Sequence, residues 1–133
     1  MKRATAEWVR KAEADYQLSA KLAPENAVFR DPLCFHCQQA AEKYLKALLA
    51  EQGLSIPYTH ILRDLIALLS PFYPSLRSLQ RGSKFLTRFA VGTRYPGGNA
   101  TKRQAQAALR WAERVRTACR SLLGIKLRRR KTP

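Results

Sequence analysis

Asp31-Pro32-Leu33-Cys34-Phe35-His36-Cys37-Gln38-Gln39-Ala40-Ala41-Glu42-Lys43-Tyr44-Leu45-Lys46-Ala47-Leu48-Leu49-Ala50-Glu51-Gln52-Gly53 is the stretch that decides the fold class. Asp31 is a residue type that caps free backbone N–H groups, and Pro32 suits the first helical turn, where its missing N–H costs nothing. Leu33, Cys37, Ala40, Ala41, Tyr44, Leu45 and Leu48 then recur at three and four residues, the period of one helix face. Gly53 supplies the left-handed residue on which such a helix ends. A helix of this length with a wide apolar stripe needs other helices to cover it.

The flanking sequence provides them. Trp8, Val9, Ala12, Tyr16, Ser19 and Ala20 predict a first helix over about residues 6–22, followed by a turn over 24–30. Thr59 is placed to cap a third helix carrying Ile61, Leu62, Leu65, Ile66, Leu68 and Leu69, which stops at Pro71. A fourth is predicted after Tyr73-Pro74 to about Ala90, and residues 92–99, with Pro96-Gly97-Gly98, form a loop. Thr101 and Gln104 make a capping-box pattern before Ala105, Ala108, Ala112, Val115, Cys119 and Leu122, and Gly124 closes this last helix. No strand pattern emerges. The expectation is an all-α, antiparallel up-and-down bundle of four to five helices over residues 1–124, with a disordered basic tail at 125–133.

With 133 residues, 46% of them hydrophobic, the chain suits one domain with a real core. No apolar run reaches the ~18–20 residues of a membrane span, and the Lys/Arg-flanked N-terminus lacks the apolar core of a signal peptide. A cytoplasmic location and no membrane partner are therefore expected. Three cysteines, an odd number, argue against a disulfide framework.

The charge is informative. The formal net charge is +16. No acidic residue occurs between Asp64 and Glu113, where Arg77, Arg81, Lys84, Arg88, Arg94, Lys102, Arg103 and Arg110 all lie. A second basic cluster, Lys126, Arg128, Arg129, Arg130 and Lys131, closes the chain but does not by itself account for the imbalance. One reading is a solvated face. The other is a surface for RNA, a nucleotide or an acidic protein. On a continuous helix the 4, 3, 4 spacing of Arg77, Arg81, Lys84 and Arg88 stacks them in one stripe, and Arg103, Arg110 and Arg114 form a second on the last helix. If those helices pack antiparallel, both stripes flank the loop carrying Arg94 and Tyr95, where tyrosine would stack a base and arginine contact phosphate. No base-reading motif accompanies them, so backbone binding is expected.

Catalytic signals are sparser. Cys34-Phe35-His36-Cys37 invites a zinc or redox reading, but there is no second Cys-x-x-Cys, and cysteines at i, i+3 on an apolar face fit core packing. No metal or cofactor is expected. His36 and His60 are each either a general base or a structural histidine. Glu42 and Lys46 at i, i+4 read as a surface pair, while Gln38 and Gln39 suggest packing or partner contacts.

Residues Phe35 to Leu49, with their QQAAEK run, resemble the central helix of HEPN domains. The resemblance extends to Ala12, Asp15 and Tyr16 as A-x-x-D-Y, to Thr59-His60-x-Leu62-x-x-Leu65, and to Arg94-Tyr95-Pro96-Gly97, covering the chain to about Leu123. It implies a small helical bundle, usually a homodimer, associated with nucleotide or RNA binding. Many such proteins act with a minimal nucleotidyltransferase in toxin–antitoxin-like pairs, and some are metal-independent ribonucleases. The ribonuclease branch carries Arg-x4-6-His near the start of its last long helix, and here no histidine follows His60. Arg30-x5-His36 has the spacing but sits on the wrong helix. The resemblance therefore favours a binding module, with Arg77, Arg81, Lys84, Arg88, Arg94, Tyr95 and Arg103 as contacts. Its alternatives are a ribonuclease toxin using His36 or His60 and a purely structural partner module.

Overall fold

The computed structural model describes residues 1–92 and 96–126. Five α-helices, α1 (Arg3–Leu22), α2 (Arg30–Glu51), α3 (Leu62–Leu69), α4 (Gln80–Thr87) and α5 (Lys102–Leu122), make up the bundle, with short 3-10 segments at Ala27–Phe29, Pro74–Leu79 and Arg88–Ala90. No strand occurs among the described residues, and no helix there is long and apolar enough to cross a membrane.

The central element is α2. It is buried on nearly every side, because α1, α3, the end of α4 and α5 all pack on it. Ala40, Ala41 and Ala47 are fully buried and leave room for these neighbours to approach, while Tyr44, Leu45, Leu48 and Leu49 fill the space between them. Cys34, Cys37 and Cys119 are core residues, and burial pushes the Cys34 and Cys37 thiols up to about 12.

Helices α1 and α2 are antiparallel. Thr5 Oγ1 donates to Glu51 Oε1 at one end (2.8 Å), and Ser19 Oγ reaches the Leu33 carbonyl at the other (3.4 Å). Helices α4 and α5 are antiparallel too: Leu79 shares a groove with Ala118, Gly82 meets Trp111, and Arg88 lies with Ala100. Between α2 and α3 the chain doubles back along α2, bringing His60 beside Glu42. Tyr73, beyond α3, reaches Gln52 at the end of α2.

The glycine-terminated helix ends follow the sequence closely, whereas α3 starts at Leu62 with Ile61 in the cap position, and Thr59, expected there, accepts from Ile61 N–H (3.1 Å) in the turn before it. Gly53 and Gly124, at φ 70° and 73°, sit in paired-bond C-terminal caps. Leu54 N–H reaches Leu49 O and Ile125 N–H reaches Arg120 O. Ile125 therefore packs against the core and belongs to the bundle, and residues 127–133 of the expected tail lie outside the described residues. The Thr101–Gln104 capping box is formed by both of its bonds. Asp31 departs from expectation: α2 starts at Arg30, two residues before Pro32, and Asp31 Oδ1 accepts from Ala100 N–H (2.7 Å), clamping the start of α2 to the start of α5.

The predicted fourth helix is three pieces, 3-10 over Pro74–Leu79, α over Gln80–Thr87 and 3-10 again over Arg88–Ala90. Pro74 opens the first piece, and 3-10 segments advance about 120° per residue against about 100° for α. Arg77 and Arg88 therefore rotate away from the strict line that one continuous helix would draw.

One ion cluster staples α1, α2 and α5. Glu13 accepts two bonds from Arg116 (2.6 and 2.8 Å), one from Gln17 and one from the Tyr44 hydroxyl, with Arg120 close by. Burial raises the Glu13 pKa, but these donors outweigh it and hold the group at about 2 rather than 4.5. Burial and the hydrogen bond to Glu13 push Tyr44 up to about 12. A depressed carboxylate stabilises the fold above its unfolded pKa and loses that contribution as pH falls. Between about pH 4.5 and about 2 the wild type is therefore expected to lose about 2 kcal/mol from this group, allowing for partial solvent screening. Urea midpoints against pH check this. In Glu13→Gln the acid slope should be shallower and the stability at neutral pH lower.

Candidate functional site

Four of the nine carboxylates are spent on one side. Glu13 pairs with Arg116, Asp15 with Lys43 and His36, Glu42 with Lys46 and His60, and Glu51 caps the backbone of Lys2. All four lie on α1 and α2. By contrast Arg77, Arg81, Lys84, Arg88, Arg103, Arg110 and Arg114 are exposed, and none has an ion-pair partner among the described residues. They decorate the Pro74–Leu79 segment, α4, the turn after it and α5. Coulomb repulsion among them is not relieved by an ion pair among the described residues.

Two of these cations are held by rings. The Arg88 guanidinium lies 4.8 Å from the Phe85 ring centroid and that of Arg114 4.9 Å from Trp111. Stacking steadies the planar group while leaving its edge N–H donors for an anion. Arg110 and Arg114 line an open groove of about 720 Å³ between Ser78–Leu79 and α5, with the hydroxyls of Ser78, Thr117 and Ser121 and the Glu113 carboxylate. This volume suits a nucleotide-sized ligand. Sequence reading placed the arginines, but the hydroxyl lining depends on how the 3-10 segment lies against α5, which no local pattern encodes.

The two histidines have different settings. His36 Nδ1 bonds Asp15 Oδ1 at 2.8 Å, its ring meets Phe35 edge-on, and it is only 28% exposed. Its role is to join α1 to α2. Arg30 lines a separate cleft with Glu25, Leu33 and Lys102, so nothing links the Arg30–His36 pair to common chemistry.

His60 is 61% exposed, and its Nδ1 lies 2.8 Å from Glu42 Oε1. Glu42 and Lys46, read from sequence as a surface pair, are buried at 4% and 8% exposure. The reason is tertiary: Gln38, Glu42 and Lys46 form a line at i, i+4, i+8, and the returning chain and Trp8 of α1 close over it. Lys46 Nζ bonds Glu42 Oε2 (3.0 Å) and lies 5.7 Å from the Trp8 ring, while Gln38 Nε2 bonds both Glu42 Oε1 and the His60 carbonyl, each at 3.1 Å. Burial raises the Glu42 pKa, but the bonds from His60, Lys46 and Gln38 prevail and lower it. Gln39 donates to Gln38 Oε1 at 2.7 Å, so the two amides are internal contacts. Arg94 and Tyr95 lie outside the described residues.

The HEPN domain model matches residues 5–122, nearly the whole described bundle. The chain belongs to the HEPN domain family. No curated protein matches it. Among solved structures, this HEPN domain is similar to TT1696 from Thermus thermophilus, with a TM-score of 0.80 at 23% identity over 90% of this chain and 98% of that one. It is also similar to ST0689, described as an archaeal HEPN homologue, with a TM-score of 0.73 at 25% identity over 95% of this chain and 100% of the other. At these identities the likeness speaks for the helical bundle rather than for a ligand.

Proposed function

We propose that this HEPN domain binds the phosphates of a nucleotide or RNA through the face made by α4, its 3-10 flanks and α5. The observation that carries this reading is the set of seven exposed cations without an ion-pair partner among the described residues, set beside carboxylates of α1 and α2 that are paired within the bundle. Phosphate contacts are sequence-independent and release counterions, so a surface of this kind binds backbone and reads little of the bases. Arg94 and Tyr95, between the two helices in sequence, belong to the same reading as a phosphate and a stacking contact. So do the minimal nucleotidyltransferase partner and the homodimer that the family resemblance implies.

The test is placement. Reversing two groove cations together, Arg110→Glu with Arg114→Glu, is expected to weaken binding of a short single-stranded RNA by about tenfold or more at moderate salt. Arg10→Glu with Lys21→Glu, two exposed reversals on α1 that change the net charge by the same amount, should change it less than about twofold. Equal losses from both would assign binding to net charge alone and remove the face from the account.

A further inference from the structure

His60 is the exposed end of an otherwise buried polar line. Glu42, fixed by Lys46 on one oxygen and Gln38 on the other, can only accept from the imidazole, so Nδ1 carries the hydrogen and Nε2 is left on the exposed side of the ring. Lys46 already balances the Glu42 charge, so a proton taken up by His60 adds a net positive charge to the cluster and places it at the surface. The segment holding His60 is tied to the proposed binding face. Leu62 N–H donates to Thr87 Oγ1 (3.2 Å), and Thr87 immediately precedes Arg88.

We propose that His60 is a phosphate-contacting residue of this domain, its Nε2 donating to a phosphate of the bound ligand when the ring is protonated. The anion-binding surface then continues past Arg88 onto the seam between α2 and α3, and it tightens as pH falls. This inference rests on the binding reading above. The charged groups on the surrounding elements are Glu42 and Lys46 on α2, Arg63 and Asp64 on α3, Lys84 and Arg88 flanking Thr87, and Glu7 and Lys11 beside Trp8 on α1. Among them Glu42 makes the direct bond and holds the ring in place in both protonation states. The sign follows from the charge: a cationic imidazole attracts phosphate, so affinity is gained as pH falls.

The experiment measures binding of a short labelled single-stranded RNA, and separately of ATP, by wild type and His60→Gln at constant ionic strength. Wild-type affinity for RNA is expected to rise about fivefold from about pH 8 to about pH 6, whereas His60→Gln should show less than about half of that rise. In parallel, the His60 ring resonances should move on adding RNA at the lower pH while those of His36 stay in place. An equal effect with ATP assigns the contact to phosphate that a free nucleotide also supplies, and an effect with RNA alone assigns it to the polymer's path. A pH dependence unchanged in His60→Gln, or still ring resonances, overturns the inference while leaving salt-sensitive binding to α4–α5 intact. If wild type binds neither ligand at any pH, the binding reading fails and this inference falls with it.

Discussion

Gly82→Ala is expected to destabilise the bundle by about 3 kcal/mol and to lower its thermal midpoint by on the order of 10 °C. Alanine is normally the better helix former, by about 1 kcal/mol, so an exposed glycine in α4 would respond in the opposite direction. Here a β-carbon would stand 2.0 Å from Trp111 Cε3 and 2.1 Å from Cδ2. These are ring atoms of a side chain packed on the core, not the free end of a flexible one. Either α4 lifts from α5 or the indole leaves its seat, and Arg114 loses the ring it stacks on. Both also disturb the groove shared by Ser78, Leu79 and Arg114, so RNA binding should fall along with stability. Thermal unfolding of Gly82→Ala alone and with Trp111→Leu checks the assignment. The second change makes room and should recover part of the loss, whereas a stabilised Gly82→Ala would show that close approach of α4 to α5 is not what requires glycine.

Glu42→Leu is expected to cost about 3–5 kcal/mol, because it strands Lys46 in the interior without its counter-charge. Lys46 is 8% exposed, with the Glu42 oxygen as its hydrogen-bonded anion and Trp8 beyond it. Gln38 loses one of its two acceptors at the same time, and His60 loses its anchor. The double variant Glu42→Leu with Lys46→Met removes both charges together and should recover much of the loss, since a buried pair contributes little net stability against apolar residues of similar size. Urea unfolding of the two singles and the double gives the coupling. Near-additive losses would mean that Lys46 finds water or another partner when Glu42 is removed.

These two sites show where sequence reading stops. The capping box at Thr101, the glycine caps at Gly53 and Gly124 and the apolar stripe of α5 are local, and each was legible because its chemistry is complete within a few residues. Glu42 and Lys46 were misread because an i, i+4 ion pair looks the same on an exposed face as on a buried one. What buries it is the chain between Gly53 and Ile61, which returns along α2 from a distance that no periodicity encodes. The i, i+4, i+8 line of Gln38, Glu42 and Lys46 was a usable signal, since a polar line on a helix otherwise rich in Ala and Leu asks what covers it. Asp31 looked like a helix cap and is instead a clamp to Ala100, 69 residues away. The fourth helix was legible as helical but not as three pieces, because 3-10 and α share their apolar spacing over so short a run. The acid-free basic region was legible in full. Its pairing state was not, because that depends on where the carboxylates of α1 and α2 point.

The most direct test of the central claim is the salt dependence of RNA binding by the wild-type chain, measured by fluorescence anisotropy at fixed pH. If about four cations of this face meet phosphates, the logarithm of the binding constant should fall with the logarithm of salt concentration with a slope of about −3. Each engaged arginine that is neutralised should reduce that slope by about 0.7. A slope near zero, or no binding at low salt, would contradict the claim that this face of the bundle is built for phosphates.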